Sequence, residues 1–133
     1  MFPVIAIDGP SGVGKGTVAR ALAEALGYRH VDTGAMYRAV AWRALQLAVD
    51  LDSEDAVVAV VRAAVIDVDG SRVVIDGTDV SSAIRTPDID RATTRVARLP
   101  RVRAELVARQ RALAGQGPVV MEGRDIGTVV FPS

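Results

Sequence analysis

Lys15 stands in the run Gly9-Pro10-Ser11-Gly12-Val13-Gly14-Lys15-Gly16-Thr17, and it is the only lysine among sixteen basic residues. A G-x-x-x-x-G-K run between an apolar strand and a helix is built to hold phosphate. Glycines at 9, 12, 14 and 16 let the backbone curl with its N–H groups pointing at an anion. The N-terminus of the following helix adds partial positive charge at the same place. A compact ammonium on a flexible stem follows a moving phosphate more readily than a broad guanidinium does. Every other basic residue is arginine, so a drift in composition does not account for the lysine kept here. The residue after Lys15 is Gly16, and the hydroxyl arrives one place later at Thr17. That makes Thr17 a weaker candidate for direct Mg²⁺ ligation than a Ser or Thr placed next to the lysine.

Acidic and basic side chains also gather where strands should end. Open parallel sheets bind ligands outside the carboxyl ends of their strands. Asp8, Asp32 and the segment Glu122-Gly123-Arg124-Asp125 would converge there with the loop. Asp8 is expected to organise loop backbone. The spacing from the glycines to Asp32 invites a dinucleotide-binding reading, but G-x-G-x-x-G fails because Thr17 stands where the third glycine belongs. His30, the sole histidine, reads as structural or solvent-facing rather than catalytic.

The elements that must position these groups are legible in outline. Val4-Ile5-Ala6-Ile7 predicts a strand leading into the loop. Val18, Leu22, Ala25 and Leu26 recur on one helical face, and Gly27 stops that helix. His30-Val31-Asp32 predicts a brief second strand. A second helix follows Thr33-Gly34, with Met36, Val40 and Leu47 as its apolar marks. Ser53 caps a third helix running to about Ala64. From Val65 to Val80 the pattern alternates, broken by Asp69-Gly70 and Asp76-Gly77, which predicts a small antiparallel hairpin unit. Thr86-Pro87-Asp88 opens another helix. Pro100 to about Ala114 makes a further one, carrying Val102, Leu106 and Leu113, and Val119-Val120-Met121 predicts a buried strand. The fold class is therefore α/β with an antiparallel insert.

Composition narrows the field. The chain has 133 residues, half of them apolar, with sixteen acidic residues balancing the sixteen basic ones. A formal net charge of zero argues against general nucleic-acid or membrane-surface binding. The absence of cysteine excludes a disulfide scaffold and thiolate metal sites. The N-terminal apolar run is too short for a signal peptide or a membrane span, so a cytoplasmic location is expected.

Five segments in order along the chain carry a family resemblance. GPSGVGKGT, Asp32-Thr33-Gly34-Ala35-Met36-Tyr37-Arg38, Ile84-Arg85-Thr86, Pro100-Arg101-Val102-Arg103 and Gly123-Arg124-Asp125-Ile126-Gly127-Thr128-Val129-Val130-Phe131-Pro132 together resemble bacterial cytidylate kinases. The resemblance implies a P-loop NTPase-type parallel sheet of the nucleoside monophosphate kinase kind. It also implies a monophosphate-binding insert over 65–89 within an incomplete kinase domain spanning 1–133. The implied reaction is transfer of the ATP γ-phosphoryl group to CMP or dCMP, with Mg²⁺, in pyrimidine nucleotide metabolism. Gly9 to Thr17 would bind ATP, and Lys15, Arg38 and Arg124 would be the catalytic set. Thr33, Arg38 and Arg124 resemble the residues that hold the acceptor phosphate. Thr94, Arg103 and Asp125 resemble those that read cytosine, whose 4-amino donor and ring acceptors suit a carboxylate and a guanidinium. Thr17 and Glu122 would serve the metal.

Plainer readings stand beside these. Arg38 could be an exposed helix arginine, Thr94 an ordinary helix residue, and Arg124-Asp125 a structural ion pair. Arg103 could belong to a solvated basic face with Arg98, Arg101, Arg109 and Arg111. Family members continue past position 133 through two further parallel strands and an arginine-bearing lid. Without them Val4 to Ile7 should form an exposed apolar edge. The alternatives for function are a non-catalytic nucleotide-binding fragment and a P-loop kinase of a small metabolite. The full-length protein is expected to be a monomer that acts on small molecules, without nucleic-acid or membrane partners.

Overall fold

A computed structural model describes residues 2–9 and 15–131. Six strands and five helices follow one another as β1 Val4–Asp8, α1 Lys15–Leu26, β2 Arg29–Asp32, α2 Thr33–Gln46, α3 Glu54–Ala63, β3 Ile66–Asp69, β4 Arg72–Ile75, β5 Thr78–Asp79, α4 Pro87–Ala97, α5 Pro100–Ala114 and β6 Val119–Gly123. A π-helical turn over Ile126–Val130 comes last. The main sheet is parallel, in the order β1-β6-β2. Val119 of β6 stands level with Val4 on one side and Arg29 on the other. The last strand in sequence is therefore the middle strand in space, and all five of its residues are buried. An unbroken apolar run is what a strand covered on both faces requires. β1 lies at the edge among the described residues, with Val4, Ile5 and Ile7 only half-buried and Ala6 exposed. The apolar edge expected of this segment is present.

The two faces of the sheet are covered unequally. Val31, Val119 and Met121 face a large core that includes Met36 and Val40 of α2, Val57 and Val61 of α3, Val96 of α4 and Leu106 of α5. Among the described residues the opposite face holds only Ala19, Ala23 and Val120 as fully buried apolar members, with Ile5, Ile7, Leu22 and Tyr28 packed partly against them. This corrects the face expected for α1. Small alanines let the helix approach the strand closely, whereas Val18 is 56% and Leu26 45% exposed. Leu47 is likewise no core residue, since it caps α2 and stands half in solvent.

Local chemistry explains the boundaries. Asp32, Ser53 and Thr86 each accept a backbone N–H at the start of α2, α3 and α4, satisfying a donor the helix cannot. Pro87 and Pro100 occupy the first turns of α4 and α5. Asp76 and Gly77 both have positive φ, 49° and 79°, as a tight turn between β4 and β5 requires. The antiparallel sheet β3-β4-β5 shares the large core through Val68, Val73 and Ile75. It is tied to β2 by Gly70 N–H donating to His30 O at 2.9 Å and by Arg29 Nε donating to Val68 O at 3.0 Å. No described helix is long and apolar enough to cross a membrane.

Candidate functional site

The carboxyl end of β6 is built tightly. Thr33, the first residue of α2, is buried and donates its hydroxyl proton to Glu122 O at 2.8 Å. A Cβ on Gly123 would lie 2.0 Å from Thr33 Oγ1 and 3.1 Å from Ile126 Cδ1, so only glycine lets the helix start sit against the strand end. Asp125 then turns the chain through a left-handed conformation, φ 59°. Asp8, at the end of β1, receives Ile126 N–H on Oδ1 at 2.5 Å and Gly127 N–H on Oδ2 at 3.0 Å. Its carboxylate thus organises the backbone that follows β6. Pro10, Ser11, Gly12, Val13 and Gly14 and the side chain of Lys15 lie outside the described residues, as does Pro132. Gly9 continues the ladder, its N–H donating to Gly123 O at 3.1 Å.

Beside this end opens a cleft of about 790 Å³ between α2, α4, α5 and the segment after β6. Thr33, Arg38, Thr94, Arg103, Arg124 and Asp125 all line it, although they come from four separate stretches of sequence. Arg38 donates to Ile84 O at 3.0 Å and pairs with Asp90 of α4, which holds its guanidinium at the wall. Arg103 donates to Ala97 O at 2.9 Å. Burial pushes the Tyr37 phenol above its ordinary range, and the nearby Arg103 charge pulls it partly back. Thr94 lines the cleft and donates its hydroxyl back to Asp90 O at 3.1 Å. Arg124 and Asp125 are exposed, and neither makes an ion pair among the described residues.

The arginines of α5 do not form one solvated face. Arg101 pairs with Asp55, Arg109 donates to Val61 O at 2.7 Å, and Arg111 donates to Val130 O at 2.8 Å and Val129 O at 3.0 Å. Arg103 alone among these turns to the cleft. Three further lining residues escaped the sequence reading: Arg85, Arg98 and Gln110. Arg85 lay within a quoted motif. Gln110 had a signal of its own, because it interrupts the apolar stripe Val102, Leu106, Leu113 on the core side of α5.

On the α1 face of the sheet, Glu122 is 5% exposed, and its Oε2 lies 2.8 Å from His30 Nε2. His30 is therefore buried and structural; its Nδ1 has no partner among the described residues. Glu122 Oε1 is left facing Gly16, 3.4 Å from where a Cβ would stand. A carboxylate oxygen with no partner among the described residues, beneath the start of α1, fits a Mg²⁺ site in which nucleotide phosphates and water supply most ligands. It does not fit an all-protein cage, and no group of three or more metal-binding side chains occurs among the described residues. Thr17 is exposed on the first turn of α1.

A parallel sheet that ends in a phosphate loop on one strand and an arginine-lined cleft on the next defines an α/β domain of the nucleoside monophosphate kinase kind. The comparisons give the family. A family model described as cytidylate kinase matches residues 5–133. The chain is 51% identical over 131 residues to the cytidylate kinase of Desulfitobacterium hafniense (strain Y51), covering 96% of this chain and 56% of that protein. It is 52% identical over 136 residues to the cytidylate kinase of Pelotomaculum thermopropionicum, covering 98% and 60%. For that of Edwardsiella ictaluri the values are 47% over 136 residues, 99% and 60%. The chain belongs to the cytidylate kinase family, and it spans between 56% and 60% of the length of these three relatives.

Proposed function

We propose that the complete protein carrying this chain transfers the γ-phosphoryl group of ATP to CMP or dCMP, giving ADP and CDP or dCDP. The observation that carries this reading is the convergence of Thr33, Arg38, Thr94, Arg103, Arg124 and Asp125 on one cleft, one strand away from the phosphate loop. Phosphoryl transfer depends on positioning and charge neutralisation more than on covalent chemistry. Lys15 and the backbone of Gly9 to Thr17 hold the donor phosphates. Arg38 and Arg124 fix the acceptor phosphate so that its oxygen lies in line with the γ-phosphorus. Thr33 contributes when its hydroxyl proton turns from Glu122 O to that phosphate. Asp125 accepts from the cytosine 4-amino group, and Arg103 donates to the ring acceptors, with Thr94 beside them. Uracil offers a carbonyl to Asp125 and leaves the carboxylate badly paired, which disfavours UMP.

Mg²⁺ bound with ATP would neutralise charge on the transferring group; Glu122 Oε1 and Thr17 would hold it through its water shell. Residues 65–89 serve as the acceptor-side insert, supplying Arg85 to the cleft and the Ile84 carbonyl that anchors Arg38. The protein acts in the cytoplasm as a monomer on small molecules. A coupled assay of ADP release on the complete protein, comparing CMP, dCMP and UMP, tests the proposal. Turnover with CMP and dCMP well above UMP is expected. A preference for UMP, or ADP release independent of any monophosphate, overturns it; CMP binding without turnover would make the chain a nucleotide-binding module instead.

A further inference from the structure

Gln110 is 2% exposed, and it sits on the core stripe of α5 where its neighbours at the same helical face, Val102, Leu106 and Leu113, are apolar. It also lines the cleft. Its carboxamide has no hydrogen-bond partner among the described residues, yet neither of its polar atoms is sealed from solvent without a partner, as His30 Nδ1 is. Because Gln110 lines the cleft, its amide is open to partners there. A buried carboxamide brings two donors and an acceptor that must find partners. An apolar residue at this position would cost nothing in packing, so a polar one calls for something in the cleft to meet it.

The cleft is divided by chemistry. Arg38, Arg85 and Arg124 supply the charge that a phosphate needs. Val107, Gln110, Val129 and Val130 form an apolar wall interrupted by one neutral amide, and the bonds from Arg111 to the Val129 and Val130 carbonyls press α5 against that segment. Apolar walls with a few placed polar groups are how proteins hold flat heterocycles. A neutral amide adds little to phosphate binding beside guanidinium groups.

We infer that Gln110 is a base-binding residue for the acceptor nucleotide: its carboxamide hydrogen-bonds the edge of the pyrimidine ring from the floor of the cleft. This rests on the CMP-kinase reading above and adds to it a base contact from the middle of α5. Because the amide can present either its carbonyl or its NH₂, it accepts the 4-amino group of cytosine and also tolerates the 4-carbonyl of uracil.

The test is calorimetric titration of the complete protein with CMP, UMP and ribose 5-phosphate, which carries the acceptor phosphate without a base. Gln110→Met keeps length and fills the same space while removing donor and acceptor. It should weaken CMP binding by about three- to tenfold, the worth of one neutral hydrogen bond, and leave ribose 5-phosphate unchanged. Unchanged CMP affinity, or equal weakening of CMP and ribose 5-phosphate, overturns the inference. Gln110→Glu guards against a Met variant that fails to fold. It keeps an acceptor and loses the donor, so the ratio of CMP to UMP affinity should rise; a ratio equal to that of the unaltered protein overturns the assignment. Failure of the unaltered protein to bind CMP at all would instead count against the kinase reading.

Discussion

The two faces of β6 differ in how much of the molecule stands behind them. On one side, α2, α4 and α5 enclose a continuous core, and the arginine-lined cleft opens where those helices meet the strand end. On the other, the only fully buried apolar contacts among the described residues are Ala19 and Ala23 of α1 against Val120, and the β1 edge beside them is unpaired among those residues. The cleft is thus framed by packed helices before any ligand arrives. The donor loop grows from the thinly supported side. Affinity for the acceptor should depend on preplaced side chains, whereas the donor side should depend on whatever else packs against β1 and α1.

The largest effect expected is from Gly123→Ala. The new Cβ would meet an anchored hydroxyl, not the free end of a flexible chain, so a loss of about 3 kcal/mol or more in denaturation is expected. Adding Thr33→Ala should recover much of it, and Thr33→Ser should not, because the offending atom is Oγ1. Next, Val119→Ala and Val120→Ala delete the same atoms from adjacent, fully buried positions on opposite faces. Val119→Ala should cost about 2–3 kcal/mol and Val120→Ala about 1, since a thin cover relaxes into the space more readily than a dense one. Equal costs would show that the two sides are equally well supported. In binding, Arg124→Ala should weaken CMP by about 10- to 100-fold, the worth of a charge-assisted hydrogen bond. ATP affinity measured in parallel should hold, and a comparable loss for ATP would erase the division between the two sides. Smallest of all, Ser53→Ala removes the α3 cap and should cost about 1 kcal/mol with turnover unchanged.

Features set by short-range chemistry were legible in the sequence. Ser53 and Thr86 announced their helices, and Asp76-Gly77 announced a turn whose positive φ values are both present. The strands of the sheet followed from short apolar runs. What depended on tertiary approach was not legible. Val18 and Leu26 look like the core face of α1, but the helix meets the sheet through Ala19 and Ala23, and closeness of approach is not written in hydrophobicity. The His30–Glu122 contact joins positions far apart in the chain, and it exists only because β2 and β6 pair in the register that sets Asp32 beside Glu122. The left-handed Asp125 and the π-helical turn after it have no periodicity to betray them. Gln110 was visible as a gap in an apolar stripe, a signal that acquires meaning only once a cleft is known to lie beside it.

The hydrogen bond from Gly9 N–H to Gly123 O acts as a ruler. The glycine-rich run follows β1 and Arg124 follows β6, so the backbone roots of the two segments stand one strand spacing apart, about 4.8 Å. That spacing is set by backbone hydrogen bonds, so no exchange of side chains moves the two roots apart. A slip of β6 by one residue would displace the acceptor end by about 3.3 Å and turn every side chain of the strand to the wrong face. Insertions and deletions near these two strands should therefore be far more damaging to catalysis than substitutions of comparable size.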